Sequence, residues 1–182
     1  MTTGASLLKR IQRFEQEALA EVYDRFSPGI YRYAMRLLGD ADLAEECVSE
    51  TFSRFLNGLR NGKGPDQYLQ AYLYRIAHNW VTDYYRRRPP PEIRLESELL
   101  IDPKLDPPQE AIERAERERV RAALALLTPE QRQVIVLKYL EDLPHEEIAR
   151  ALEKPVGAVK ALQHRALASL RRLLLREEEE LE

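Results

Sequence analysis

Six of the chain's eleven prolines fall between Pro89 and Pro108, and this cluster limits the fold more than any other feature. Proline has no N–H to donate and pushes the residue before it out of helical geometry, so no stable helix should cross the stretch PPPEIRLESELLIDPKLDPPQE, residues 89–110. Structureless segments of about twenty residues are uncommon inside one compact domain. The stretch therefore reads as an extended, acidic linker rather than a long internal loop. At 182 residues the chain has room for two small domains on either side of it, residues 1–88 and 111–182.

Hydrophobic residues make up 44% and charged residues 32%, with only 7 Gly, a helix-leaning composition. No apolar run reaches the length of about 18 residues that a membrane span needs. The start, MTTGASLLKRIQRFEQEA, has too short an apolar core for a secretion signal. The one cysteine, Cys47, rules out an internal disulfide and points to a reducing cytoplasm. The formal net charge of -3 hides an uneven distribution. Residues 89–110 carry six acids against two bases, and residues 177–182 carry five glutamates, so the remainder holds 20 acids against 26 bases. The folded parts are basic.

In the first domain, one helix is expected from about Phe14 to Leu38, with an interruption possible at Ser27-Pro28-Gly29 and a left-handed cap at Gly39. A second begins near Asp40 to Asp42, either of which can cap it, and continues to Phe55 or Leu56. Leu43, Cys47, Val48, Phe52, Phe55 and Leu56 share its apolar face; Glu45, Glu46, Ser49, Glu50 and Arg54 lie opposite. A third helix follows the turn-rich loop NGLRNGKGPDQ. Leu69, Leu73, Ile76, Trp80 and Tyr84 form its apolar stripe. Tyr68, Tyr72, Arg75, Asn79, Thr82 and Arg86 line a second face that ends in Arg86-Arg87-Arg88. Rings that stack on bases, beside guanidinium groups that attract phosphate, suit single-stranded or opening nucleic acid, and the neighbouring loop adds Lys63. Any single tyrosine on this face reads better as a packing residue; it is the whole face, beside the Gly-rich basic loop, that points to nucleic acid.

The second domain opens with an amphipathic helix over 109–127, QEAIERAERERVRAALALL. Thr128, Pro129 and Gln131 then make a capping box with proline in the first turn, so a new helix begins at 129 and runs through VIVLKYL. In LPHEEIARALEKPVGAVKALQHRALASLRRLL two short amphipathic pieces follow, with Ala149 and Val159 placed for a close crossing, the layout of a helix-turn-helix. Val159, Leu162, Ala166 and Leu170 form the buried stripe of the second piece. Gly157, Lys160, Ala161, His164, Arg165 and Arg171 lie opposite. Lys154 to Arg176 contains six Lys or Arg and no acid, which suits entry into the major groove of DNA.

Catalytic readings fail on spacing. His145-Glu146-Glu147 begins like a zinc-protease motif, but Ala149 stands where the second His should be. Asn61-Gly62-Lys63-Gly64 resembles a phosphate loop, yet Asn57 replaces its leading Gly and Gly64 follows the Lys instead of Ser or Thr. With 3 His and one Cys, the chain reads as no enzyme and as needing no cofactor or metal.

At this point the residues resemble a known family, the bacterial sigma factors of the extracytoplasmic function (ECF) group of the sigma-70 family. The likeness covers about residues 15–176. GDADLAEECVSETFSRF is similar to region 2.2, YLYRIAHNWVTDYYRRR to regions 2.3 and 2.4, and the stretch from Leu127 to Leu174 to region 4. The resemblance implies an all-α fold: a region 2 bundle of three to four helices, the Pro-rich acidic linker and a region 4 helix-turn-helix domain. It implies a factor that binds core RNA polymerase, recognises promoter −10 and −35 elements and helps open DNA, in a stress or signal response. Glu46, Glu50 and Phe52 become candidate contacts to the clamp helices of the largest polymerase subunit, although Phe52 can equally pack inward. The polymerase flap is implied as a further contact. Lys63, Tyr72, Arg75, Asn79 and Arg86 would handle the −10 element and its displaced strand. Lys160, His164 and Arg165, with Arg171 beyond them, would read the −35 duplex. Control by an anti-sigma factor is implied by the family alone.

Two positions depart from the family pattern. Ser49 stands where Gln is frequent, and Glu153 where the helix-turn-helix often has Gly, so a left-handed residue there would cost about 1 kcal/mol or be avoided by a different turn. Two rival readings remain. A stand-alone helix-turn-helix regulator has no need of an acidic face over 40–55, and an adaptor with only protein partners has no need of basic faces on both domains.

Overall fold

The computed structural model describes residues 4–88 and 108–180, and among them every regular element is helical. Four helices make up the first domain: α1 (Gly4–Gln12), α2 (Gln16–Leu38), α3 (Ala41–Arg60) and α4 (Leu69–Arg87). The second contains α5 (Pro108–Ala125), α6 (Pro129–Ile135), a π turn (Val136–Leu140), α7 (His145–Leu152) and α8 (Val156–Glu180). Most of the Pro-rich stretch, residues 89–107, lies outside the described residues. Its last three positions, expected as linker, belong to α5, because a proline at the first helical position gives up no hydrogen bond.

The caps follow from the sequence. Gly39 ends α2 in the left-handed region at φ 69°, donating to the Met35 carbonyl. Asp40, rather than Asp42, caps α3 by accepting from the Leu43 amide at 3.0 Å. Thr128 and Gln131 form the expected capping box of α6. Two expectations are corrected. Helix α1 was not foreseen; it packs Leu7 and Ile11 into the core and meets α2 at a kink where Phe14 takes φ 56°. Helix α2 passes Pro28 without interruption.

Buried residues along α3 are Ala44, Cys47, Val48, Thr51, Phe52, Phe55 and Leu59, while Leu43 and Leu56, placed in the stripe by periodicity, are half-buried. Thr51 satisfies its hydroxyl by donating to the Cys47 carbonyl at 2.7 Å, which makes a polar residue tolerable there. Burial pushes the Cys47 thiol up to about 12. On α4, Leu69, Leu73 and Trp80 are buried as expected; Ile76 and Tyr84 are half-buried, and Tyr74, Ala77 and Val81 are buried in addition. Helix α4 packs on α2 and α3 on one side and on α7 of the second domain on another, and the two domains share one continuous hydrophobic cluster.

Candidate nucleic-acid interface

The helix-turn-helix is built by α7, a turn and α8. Glu153 ends α7 in the left-handed region at φ 53°, and the Lys154 amide donates back to the Ala149 carbonyl at 2.9 Å. This is the Schellman arrangement that usually carries Gly. The sequence therefore takes the strained turn instead of avoiding it. Val159, Leu162 and Ala166 are buried beneath α8, while Lys160, His164, Arg165 and Arg171 are exposed on its outer side. His164, Arg165, Arg171 and Arg172 line one shallow groove, and Lys160 stands a turn earlier. Gln163 locks this face in place: its Nε2 donates to Tyr139 Oη at 2.7 Å, and its Oε1 accepts from His145 Nε2. Nothing in the sequence marked Gln163, because the contacts tie α8 to residues 18 and 24 positions away.

A second basic surface lies on α4. Tyr72 Oη donates to the Lys63 carbonyl at 3.1 Å, and the Arg75 guanidinium sits 5.3 Å from the Tyr72 ring centroid, so Lys63, Tyr72 and Arg75 are brought together. Gly58 permits this, since a Cβ there would fall 2.5 Å from Tyr72 Oη. Asn79 is exposed one turn on. Arg86 lies about 16 Å from Arg75 along the helix axis and pairs with Asp83 at 2.8 Å, so it stands apart from that group.

Much of this face meets the second domain. Arg75 pairs with Glu153 at 3.4 Å, Thr82 accepts from Gln133 Nε2 at 3.3 Å, and the Arg150 guanidinium lies 3.6 Å from the Tyr68 ring centroid. His78 is enclosed between them, with Nδ1 unpartnered; burial first, then Lys154, lowers it to about 4. These contacts were invisible to periodicity, which shows that a face is polar but not what it touches.

Among the described residues, no hydrogen bond or ion pair joins the acidic face of α3 to the second domain. Glu46 is exposed, and Glu50 accepts from Arg54 Nε at 2.8 Å one turn on. Phe52 points inward, with 8% of its surface exposed and its ring centroid 4.8 Å from that of Tyr23. It floors an open groove of about 880 Å³ between α2 and α3, whose walls include Tyr31, Arg32, Glu45 and Ser49. Among the described residues no cluster of His, Cys, Asp or Glu could hold a metal ion, and no helix is long and apolar enough to cross a membrane.

Two family models match the chain, Sigma-70 region 2 over residues 22–89 and Sigma-70, region 4 over residues 117–170. Together they cover more than half of it. The chain belongs to the sigma-70 family. The ECF RNA polymerase sigma factor SigW of Bacillus subtilis is 30% identical to this sigma factor over 92% of its length and 94% of SigW. The ECF RNA polymerase sigma factor BldN of Streptomyces coelicolor is 32% identical, and the match spans 92% of this chain but 64% of BldN. Among solved structures, CnrH in complex with the cytosolic domain of CnrY is 26% identical with a TM-score of 0.73, covering 92% of this chain and 94% of CnrH. The sigma factor RpoE of Bartonella quintana, in complex with the anti-sigma factor NepR, shares the fold at 20% identity and a TM-score of 0.58, over 90% of this chain and 97% of RpoE. The two family models and the identity to SigW and BldN make the chain an ECF sigma factor, a non-enzymatic factor of transcription initiation, and favour that reading over a stand-alone regulator.

Proposed function

We propose that residues 1–88 bind core RNA polymerase and the −10 element, that residues 89–110 connect, and that residues 111–182 read the −35 element. The observation that carries this division is the separation of charge on exposed surfaces. Glu45 and Glu46 stand on the outer side of α3, whereas Lys160, His164, Arg165 and Arg171 stand together on α8 with no acid among them. An acidic helix beside an open groove suits docking on a basic protein surface, and polymerase is the partner that the family supplies. A bare cationic helix in a helix-turn-helix suits duplex DNA.

On α3, Glu46 and Glu50 are the polymerase contacts, and Phe52 supports them from below by shaping the groove floor. Lys63, Tyr72, Arg75 and Asn79 receive the opened −10 strand by stacking and phosphate attraction. Arg86, farther along α4, holds backbone phosphate. An anti-sigma protein is a further partner, a reading supported by the complex of RpoE with NepR.

The test is co-purification with core polymerase followed by transcription from a promoter library. Reversing charge at Glu46 and Glu50 should weaken polymerase association while leaving the helical content unchanged. Undiminished association would remove α3 from the interface. Tight operator binding without any polymerase association would favour the stand-alone regulator.

A further inference from the structure

The least expected contact between the domains centres on one carboxylate. Glu141 follows the π turn, where its amide donates to the Val136 carbonyl at 3.0 Å, and its side chain is only 2% exposed. Among the described residues, every hydrogen-bond partner of the side chain comes from the other domain. Arg36 Nη1 lies 2.7 Å from Oε1, Arg32 Nη2 lies 3.2 Å from Oε2, and Tyr74 Oη donates to Oε2 at 3.1 Å. Burial, then the adjacent carboxylate, pushes the Tyr74 phenol up, so it remains a donor. A carboxylate removed from water is tolerated only when it is paired and hydrogen-bonded this fully. The surface of α2 is cut back to admit it: a Cβ at Gly29 would sit 2.5 Å from Tyr74 Oη and 3.5 Å from Glu141 Oε2.

Closure at this point is incompatible with reading two promoter elements at once. A compact chain of this length has a radius of gyration of about 16 Å, whereas elements centred about 25 base pairs apart lie about 85 Å apart on duplex. The backbone between Arg88 and Pro108 can span at most about 70 Å, and the breadth of the two domains adds to that reach. The domains must therefore separate, and Glu141 must lose its partners when they do. Arg32 is placed to connect that event to docking. It is 53% exposed, is the longer of the two ion-pair arms, and also forms part of the α2–α3 groove with Tyr31, Glu45 and Ser49.

We propose that Glu141 is a clasp holding region 4 shut on region 2 in the free chain, and that Arg32, shared between the clasp and the α2–α3 groove, couples occupation of the groove to release. The coupling rests on the polymerase-docking role proposed above; the clasp does not. A partner that draws Arg32 into the groove leaves Glu141 with one guanidinium in place of two and so favours the open state.

The experiment compares the 182-residue wild-type chain with Glu141→Gln and Arg36→Gln, which break the same ion pair from opposite domains. Helical content by circular dichroism identifies a variant that fails to fold, and the other then decides. Small-angle scattering of the free proteins should give about 16 Å for wild type and a clearly larger radius for either variant. Core polymerase should bind Glu141→Gln about tenfold more tightly, the factor expected if about nine in ten wild-type molecules are closed. With Arg32→Gln added, the gain from the second change, Glu141→Gln, should shrink. An unchanged radius in every folded variant overturns the clasp. A larger radius with equal polymerase affinity overturns the coupling through Arg32. Absence of polymerase binding by wild type itself would refute the docking role and leave the scattering result to judge the clasp alone.

Discussion

Arg75 on α4 and Glu153 in the turn of the helix-turn-helix form an ion pair of 3.4 Å across the domain boundary, and Glu153 holds it from a left-handed backbone at φ 53°. The pair is exposed, at 38% and 66%, and such pairs contribute little. The backbone strain is the larger quantity. Glu153→Gly should therefore stabilise the protein by about 0.5–1 kcal/mol despite losing the ion pair. A rise in the urea midpoint at constant slope would show it, and a fall would mean that Glu153 matters through its side chain.

His78 predicts a pH dependence whose sign follows from its surroundings. In the closed molecule it is lowered from 6.5 to about 4 by burial and by Lys154, with Glu130 opposing. A depressed histidine disfavours the charged form, so the packing around it is fully stable above 6.5 and loses stability as pH falls toward 4. The loss amounts to at most about 3 kcal/mol. Opening or unfolding followed from pH 7.5 to 4.5 should show this loss, and His78→Phe should flatten the profile over that interval.

Arg132 carries a separate stability prediction. Its guanidinium donates to the Leu124, Ala125 and Leu127 carbonyls at 2.8, 3.1 and 3.2 Å, closing the end of α5 beneath Tyr85. Arg132→Leu should cost about 2 kcal/mol, or about 4–8 °C in Tm for a chain of this size. Arg132→Lys should recover only part, because one ammonium cannot match the planar fork.

On α8, Lys160→Ala and Arg165→Ala should lower −35 binding while polymerase association remains intact. Electrophoretic mobility of holoenzyme on promoter DNA, measured beside polymerase pull-down, separates the two. Losing both activities together would indicate misfolding instead.

What could be read from the residues was whatever depends on near neighbours. Asp40, Thr128 and Gly39 announce their caps because each acts on residues within four positions. The exposed bases of α8 follow from period and charge. Helix α1 was hidden because MTTGASLLKRIQRF is short, and a short helix depends on packing such as that of Leu7 and Ile11. The hydrogen bond of Tyr74 and the charges around His78 come from the opposite domain, 50 or more positions distant. No periodicity reports that. Glu141 is the clearest case, since a lone acid after an apolar run gives no sign that two arginines more than a hundred positions earlier surround it.

Cys47 has a consequence for how such a factor can be informed of its surroundings. With its thiol held near 12 inside the region 2 core, about one molecule in 10⁵ carries a thiolate at neutral pH, and that one has no path to solvent. A disulfide reagent would find no accessible thiol on this chain, so a thiol–disulfide cue that reaches transcription through it must first be received by a different molecule. The same inertness leaves the background blank for spectroscopy: cysteines introduced on the surfaces of the two domains could carry dyes without competition from the native one.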